Sequence, residues 1–147
     1  MPLISKHVEL IRQKTTGFRA AIVACDTALL PVSFEEFPHG SCGDATEFLG
    51  KYLTEQGLGT FRYVAGKRFR SRGRFQSHAW LEQDGLIIDI TANQFPDIST
   101  AVWLTTDRTW HSRFTVKTNR MADGDFSDYL MEGEMYRGYA EVCKLIS

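Results

Sequence analysis

Cys42, His78 and Asp89 are the residues of this chain whose types and spacing could do chemistry together: a sulfur nucleophile, a base to take its proton and an acid to orient the base. The pairing of the last two follows from a turn. The strand-like runs SHAWLEQ and LIIDIT flank Asp84-Gly85, the dipeptide type that most strongly marks a two-residue type I′ hairpin. With that loop, Gln83 pairs with Leu86, Leu81 with Ile88, Trp80 with Asp89 and His78 with Thr91. Paired residues share a face, so His78, Trp80, Asp89 and Thr91 project from one side. Asp89 is then the diagonal neighbour of His78, about 7 to 8 Å away, a gap that polar side chains close. A carboxylate on one imidazole nitrogen fixes the ring and supports the imidazolium, leaving the other nitrogen free as a general base. Asp89 lies among Ile87, Ile88 and Ile90, where a carboxylate requires a compensating partner.

The helix that must present the sulfur begins at Ser41, an N-cap type, with Asp44 placed to return the hydrogen bond of a capping box. Ala45, Phe48, Leu49, Tyr52 and Leu53 form one apolar face, and Gly57 offers a left-handed stop. The spacing predicts a buried helix of about four turns with Cys42 in the first. A thiol there feels the positive end of the macrodipole and unpaired N–H groups, which favour thiolate and can donate to the oxygen of a tetrahedral intermediate. Cys25, in an apolar run, and Cys143, on the inner face of a later helix, fit inert buried thiols instead.

The remaining elements are a scaffold. Leu3, Ile4, Val8 and Ile11 predict a short amphipathic helix that stops near Gly17, while Phe18 to Leu30 is apolar without a clear period. Phe61, Tyr63 and Ala65 alternate as a half-buried strand does. Lys67, Arg68, Arg70, Arg72 and Arg74 then read as a mobile basic hairpin tip. Arg113 to Thr118 predicts a further strand, and Phe126 to Ile146 a helix in which Gly133 and Gly138 each cost about 1 kcal/mol relative to Ala. Without repeats or low-complexity linkers, residues 1–147 read as one domain.

Composition narrows the function classes. The 147 residues are 43% hydrophobic and 24% charged, which argues against disorder. Seventeen Lys+Arg against eighteen Asp+Glu leave a net charge of −1, so the global field that draws a protein to nucleic acid or anionic membranes is missing. Three cysteines with no C-x-x-C pair argue against a disulfide scaffold and for a reducing, cytoplasmic compartment. The amino terminus has no secretory pattern, and the apolar stretch Ala20–Val32, interrupted by Cys25-Asp26-Thr27, is too short to span a bilayer. Signal-independent export of an effector is compatible with the same residues.

The order GSCGDATEFLGKYLTEQGLGTFRYVAG followed by HAWLEQDGLIIDIT resembles the transglutaminase-like branch of the papain-like cysteine enzymes. There a G-x-C helix start, a strand ending in a small-residue turn, an H-A-W strand and a D-x-T strand recur in this sequence. The likeness covers about a third of the chain, Gly40 to Thr91. It implies Cys42 as nucleophile, His78 as base and Asp89 as orienting acid. It also implies a papain-like (transglutaminase-like) α+β fold with the cysteine helix packed on an antiparallel β-sheet, and a thioester acyl-enzyme. Gly43 and Asp44 follow the cysteine where many members carry a nearby tryptophan, and the acid strand continues as Ala92-Asn93-Gln94-Phe95 rather than as a proline turn.

The expected function is attack on an amide carbonyl of a protein or peptide. Hydrolysis by a cysteine protease or glutamine deamidase ranks first; transfer to an amine, as by a transglutaminase or other acyltransferase, is the alternative. Ser41 and Trp80, flanking nucleophile and base, are the candidate substrate-binding residues, and Asn93 and Gln94 could position a substrate amide or form an exit turn. The basic 67–74 stretch would steer an acidic substrate, or serve a non-catalytic binding module. A zinc reading through His39, Cys42, His78 and Asp89 uses acceptable ligand types. Because helix start and hairpin are accounted for without metal, no metal or cofactor is expected.

Overall fold

A computed structural model describes residues 5–146. Helix α1 (Lys6–Ala24) starts under the Ser5 hydroxyl, which accepts from the Val8 N–H at 3.0 Å. Leu3 and Ile4 lie outside the described residues. The expected stop near Gly17 is corrected: the helix continues through it for seven more residues, to Ala24. Phe18 is fully buried and stacks on Tyr52 at 4.8 Å, so burial outweighs the modest cost of one helical glycine. Of the apolar stretch without period, the first part is therefore helix and the remainder a 3₁₀ turn (Thr27–Leu29) capped by Asp26.

Helix α2 (Cys42–Glu55) buries its expected apolar face, and Gly57 takes the left-handed conformation at φ 77°. The capping box is corrected. Ser41 Oγ donates to the Pro38 carbonyl at 3.2 Å, while the Asp44 carboxylate accepts the Ser33 hydroxyl at 2.6 Å. The chain entering the helix offers both side chains better partners than each other's backbone.

Five strands form one antiparallel sheet, in the order β4-β3-β2-β1-β5: β1 Arg62–Phe69, β2 Phe75–Gln83, β3 Leu86–Asp89, β4 Trp103–Thr105 and β5 Thr115–Met121. Asp84 and Gly85 both have positive φ, 51° and 82°, as a type I′ turn demands, and the register Gln83↔Leu86, Leu81↔Ile88 is the expected one. The ladder stops there, however, so neither Trp80 with Asp89 nor His78 with Thr91 is a ladder pair. Strand β1 runs on into the basic stretch, pairing Lys67 with Ser77 and Arg68 with Gln76, which leaves only residues 70–74 as the tip. Strand β5 begins two residues later than expected, because Arg113 ends a 3₁₀ turn, and extends to Met121. Gly66 sits where the β1–β5 register shifts; a Cβ there would lie 2.6 Å from the Thr115 carbonyl oxygen.

Helix α3 (Glu132–Cys143) begins six residues after Phe126, correcting the longer helix expected. Asp123 and Asp125 carboxylates accept backbone N–H groups two residues ahead, at 3.0 and 2.9 Å, holding that segment in turns. At Gly138 a Cβ would stand 2.8 Å from Pro31 Cδ, so the glycine permits close helix packing.

The result is an α+β architecture with a five-stranded antiparallel sheet. Leu81 and Ile88 join Phe18, Phe48, Leu49 and Leu53 in the core shared with the helices. Trp80 and Ile87, one residue out of phase, join Val64, Phe95, Trp110 and Phe114 in a second cluster. Among the described residues no helix is long and apolar enough to cross a membrane.

Candidate active site

Strand alternation assigns His78 and Asp89 to the side of Trp80 and Ile87. Both are 1% exposed, and His78 Nε2 donates to Asp89 Oδ2 at 2.7 Å. The other carboxylate oxygen, Oδ1, accepts the Thr91 N–H at 3.0 Å. That local bond turns the chain away after Asp89, which explains why the ladder ends before His78 and Thr91 can pair. The following 3₁₀ turn (Ala92–Gln94) returns the chain to the imidazole, placing Gln94 Nε2 3.3 Å from His78 Nδ1. Arg19 of α1 holds this turn, donating to the Ile90 carbonyl at 2.9 Å and to Asn93 Oδ1 at 3.2 Å.

Cys42 is half-buried at the first residue of α2, and its sulfur stands close enough to His78 to favour the protonated imidazole. With Nε2 committed to Asp89, Nδ1 is the other ring nitrogen, and it faces the Gln94 amide. Burial alone pulls His78 down, but Asp89 and Cys42 outweigh it and raise the imidazole to about 9. Burial pushes the Asp89 carboxyl up, yet His78 and His111 together hold it at about 2. Sequence thus brought the expected acid, base and sulfur to one place. Of the remaining thiols, Cys25 and Cys143 are pushed up by burial with nearby carboxylates, and Cys25 Sγ donates to its neighbour's carbonyl at 3.7 Å.

His111 completes this cluster. Its Nε2 also donates to Asp89 Oδ2, at 2.7 Å, from a 3₁₀ turn (His111–Arg113) whose imidazole is only 2% exposed. Trp80, Trp103 and Trp110 box it in, with ring centroids 4.8, 4.9 and 4.9 Å away. The only sequence clue was the acid itself, since a buried carboxylate has more acceptor sites than one histidine fills. Phe95, Trp110 and Phe114 pack on His78 at 5.2 to 5.6 Å, and the Arg68 guanidinium covers their outer side.

The two candidate substrate-binding residues, Ser41 and Trp80, are each 1% exposed. Ser41 spends its hydroxyl on Pro38, and Trp80 donates its indole N–H to Glu82 at 2.9 Å, forming the wall behind His78. The residue beside Cys42 and Gly43 is instead Tyr63: a Cβ on Gly43 would lie 3.2 Å from its hydroxyl. Burial, reinforced by Cys42 and Glu47, raises that hydroxyl to about 12. Arg120, paired with the buried Glu47, lies 4.4 Å over the Tyr63 ring.

The zinc set weighed from the sequence is not assembled: His39 is exposed, and among the described residues the metal-ligating types that converge are His78, Asp89 and His111. Two imidazoles and a carboxylate suit zinc or iron. The 2.7 Å separations are those of N–H···O hydrogen bonds. Compared with family models, curated proteins and solved structures, the chain matches none.

Proposed function

We propose that this chain is a thiol-nucleophile enzyme of the papain-like, transglutaminase-like kind, acting on an amide carbonyl of a protein or peptide. The observation that carries this reading is the wired base: His78 bonded through Nε2 to Asp89 at 2.7 Å, with Cys42, at a helix start, among the groups that raise the same imidazole. His78 Nδ1 takes the thiol proton as Cys42 Sγ bonds to the carbonyl carbon. The oxygen of the tetrahedral adduct faces the unpaired N–H groups of α2, with the Gln94 amide alongside His78 as a further donor. The C–N bond then breaks, His78 returns the proton to the leaving nitrogen, and a thioester remains. Water attacks the thioester, its proton passes to His78 and then to the departing sulfur, and a carboxylic acid is released. An amine in place of water gives acyl transfer by the same steps.

Iodoacetamide is the test. Cys42 is expected to alkylate faster than Cys25 or Cys143 in the folded chain, and His78→Ala to remove the advantage. Equal labelling of the three thiols would count against the reading. Mass spectrometry of protein substrates then separates deamidation, cleavage and crosslinking.

A second reading, a binding module without turnover, draws on the hairpin tip. Phe69 and Phe75, each 63% exposed, meet edge-on at 5.7 Å beside Arg70, Arg72 and Arg74. In that case Cys42→Ala leaves the biological activity intact, while charge reversal at Arg70 and Arg72 abolishes it.

A further inference from the structure

We propose that His111 is a positioning residue for the acid of the site, its Nε2–H holding Asp89 Oδ2 at the corner between two imidazoles so that His78 presents Nδ1 to Cys42. The inference rests on the thiol-enzyme reading and adds a fourth residue to it. The first support is that Asp89 is held from three directions: two imidazole N–H groups on Oδ2, each at 2.7 Å, and the Thr91 N–H on Oδ1 at 3.0 Å. A carboxylate bonded only by Thr91 and His78 could swing about its side-chain torsions and carry the His78 ring with it. His111 removes that freedom.

The second support is what His111 lacks. Its Nδ1 is buried and has no hydrogen-bond partner, whereas both nitrogens of His78 have neighbours. A proton on Nδ1 would be a buried N–H with no acceptor, so the ring keeps its proton on Nε2, facing Asp89. Inside a box of three tryptophans an apolar ring would pack as well and leave no orphaned nitrogen. What the imidazole supplies beyond packing is therefore the bond to Asp89. This bond draws part of the carboxylate charge away from His78, so that the base is oriented without holding its proton too tightly to return it to a leaving group.

The ionisable groups in direct range of His78 are Asp89, Cys42 and, through the shared oxygen, His111. The experiment follows His78 by ¹⁵N-imidazole NMR across pH in the full chain, as wild type, His111→Phe and His111→Gln. The phenylalanine preserves the packing and removes the donor. It is expected to shift the His78 titration midpoint upward, while the glutamine, whose amide can donate to Asp89, returns it toward wild type. A residue that only fills space would leave the midpoint where it is; an unmoved midpoint in folded His111→Phe, or one that glutamine fails to restore, overturns the proposal. So does stoichiometric zinc in the purified wild type that is lost in His111→Phe, which would make the cluster a metal site. Should His111→Phe fail to fold, His111→Leu takes its place beside His111→Gln. A midpoint raised in His111→Leu and returned toward wild type in His111→Gln then supports the proposal, and equal midpoints in the two overturn it. Iodoacetamide labelling of Cys42 on the same samples reports separately on the thiol reading, so loss of either idea is distinguishable from loss of the other.

Discussion

The two faces of the sheet bury their side chains under different rules. Toward the helices, Leu81 and Ile88 meet Phe18, Phe48, Leu49 and Leu53, and stability there is a matter of apolar area and fit. On the other face the same two strands send His78 and Asp89 into a wall of Trp80, Phe95, Trp110 and Phe114, where a charge survives only if another group answers it. A defect on the helix side leaves a hole. One on the other side leaves an unmatched charge, and with it the loss of whatever chemistry the charge was arranged to do.

Asp89→Ala tests this contrast most severely. Removing one member of a buried pair is expected to cost about 3 to 5 kcal/mol by urea denaturation and to abolish the alkylation advantage of Cys42. Leu81→Ala, one strand residue from Trp80 but fully buried on the helix side, is expected to cost about 2 to 5 kcal/mol while Cys42 in the folded fraction keeps its advantage. Equal effects of both variants on Cys42 would dissolve the distinction between the faces.

The pH dependence of stability sharpens it. His78 is raised from 6.5 to about 9, so its contribution is fully present below 6.5 and is lost as pH rises through 9. Asp89 is lowered from 3.8 to about 2, so its contribution is present above 3.8 and is lost as pH falls through 2. Thermal unfolding should therefore be most favourable to the native state between these limits and weaken from pH 6.5 to 9. Leu81→Ala should lower the whole curve without altering its shape, whereas His78→Phe should flatten its alkaline side.

Two glycines of α3 give a smaller, internal control on the helix side. Gly138→Ala forces a methyl to within 2.8 Å of Pro31 and is expected to destabilise by about 1 to 3 kcal/mol. Gly133→Ala meets nothing within 4 Å and is expected to stabilise by up to about 1 kcal/mol. Smallest of all in stability is Cys42→Ser, at about 0.5 kcal/mol or less for a half-buried side chain. Its readout is the His78 titration midpoint, which should fall because the sulfur helps to raise it.

The sequence alone determined what short-range chemistry decides. Asp84-Gly85 set the hairpin register, and with a period of two that register put His78 and Asp89 on one face. The apolar spacing after Ser41 set the start of α2 and with it the place of Cys42. What failed was each inference in which a local preference had a distant competitor. Gly17 did not end α1 because Phe18 gained a place in the core, and the Ser41/Asp44 box gave way to partners at Pro38 and Ser33.

Tertiary structure alone decided the rest of the site. His111 lies 22 residues beyond Asp89, Gln94 returns to His78 by a turn, and Arg19 reaches that turn from 71 residues before Ile90. No periodicity links such positions. They meet because two clusters of apolar side chains, packing on opposite faces of a twisted sheet, choose which loops cover it, and a buried carboxylate then takes its donors from whatever those loops deliver.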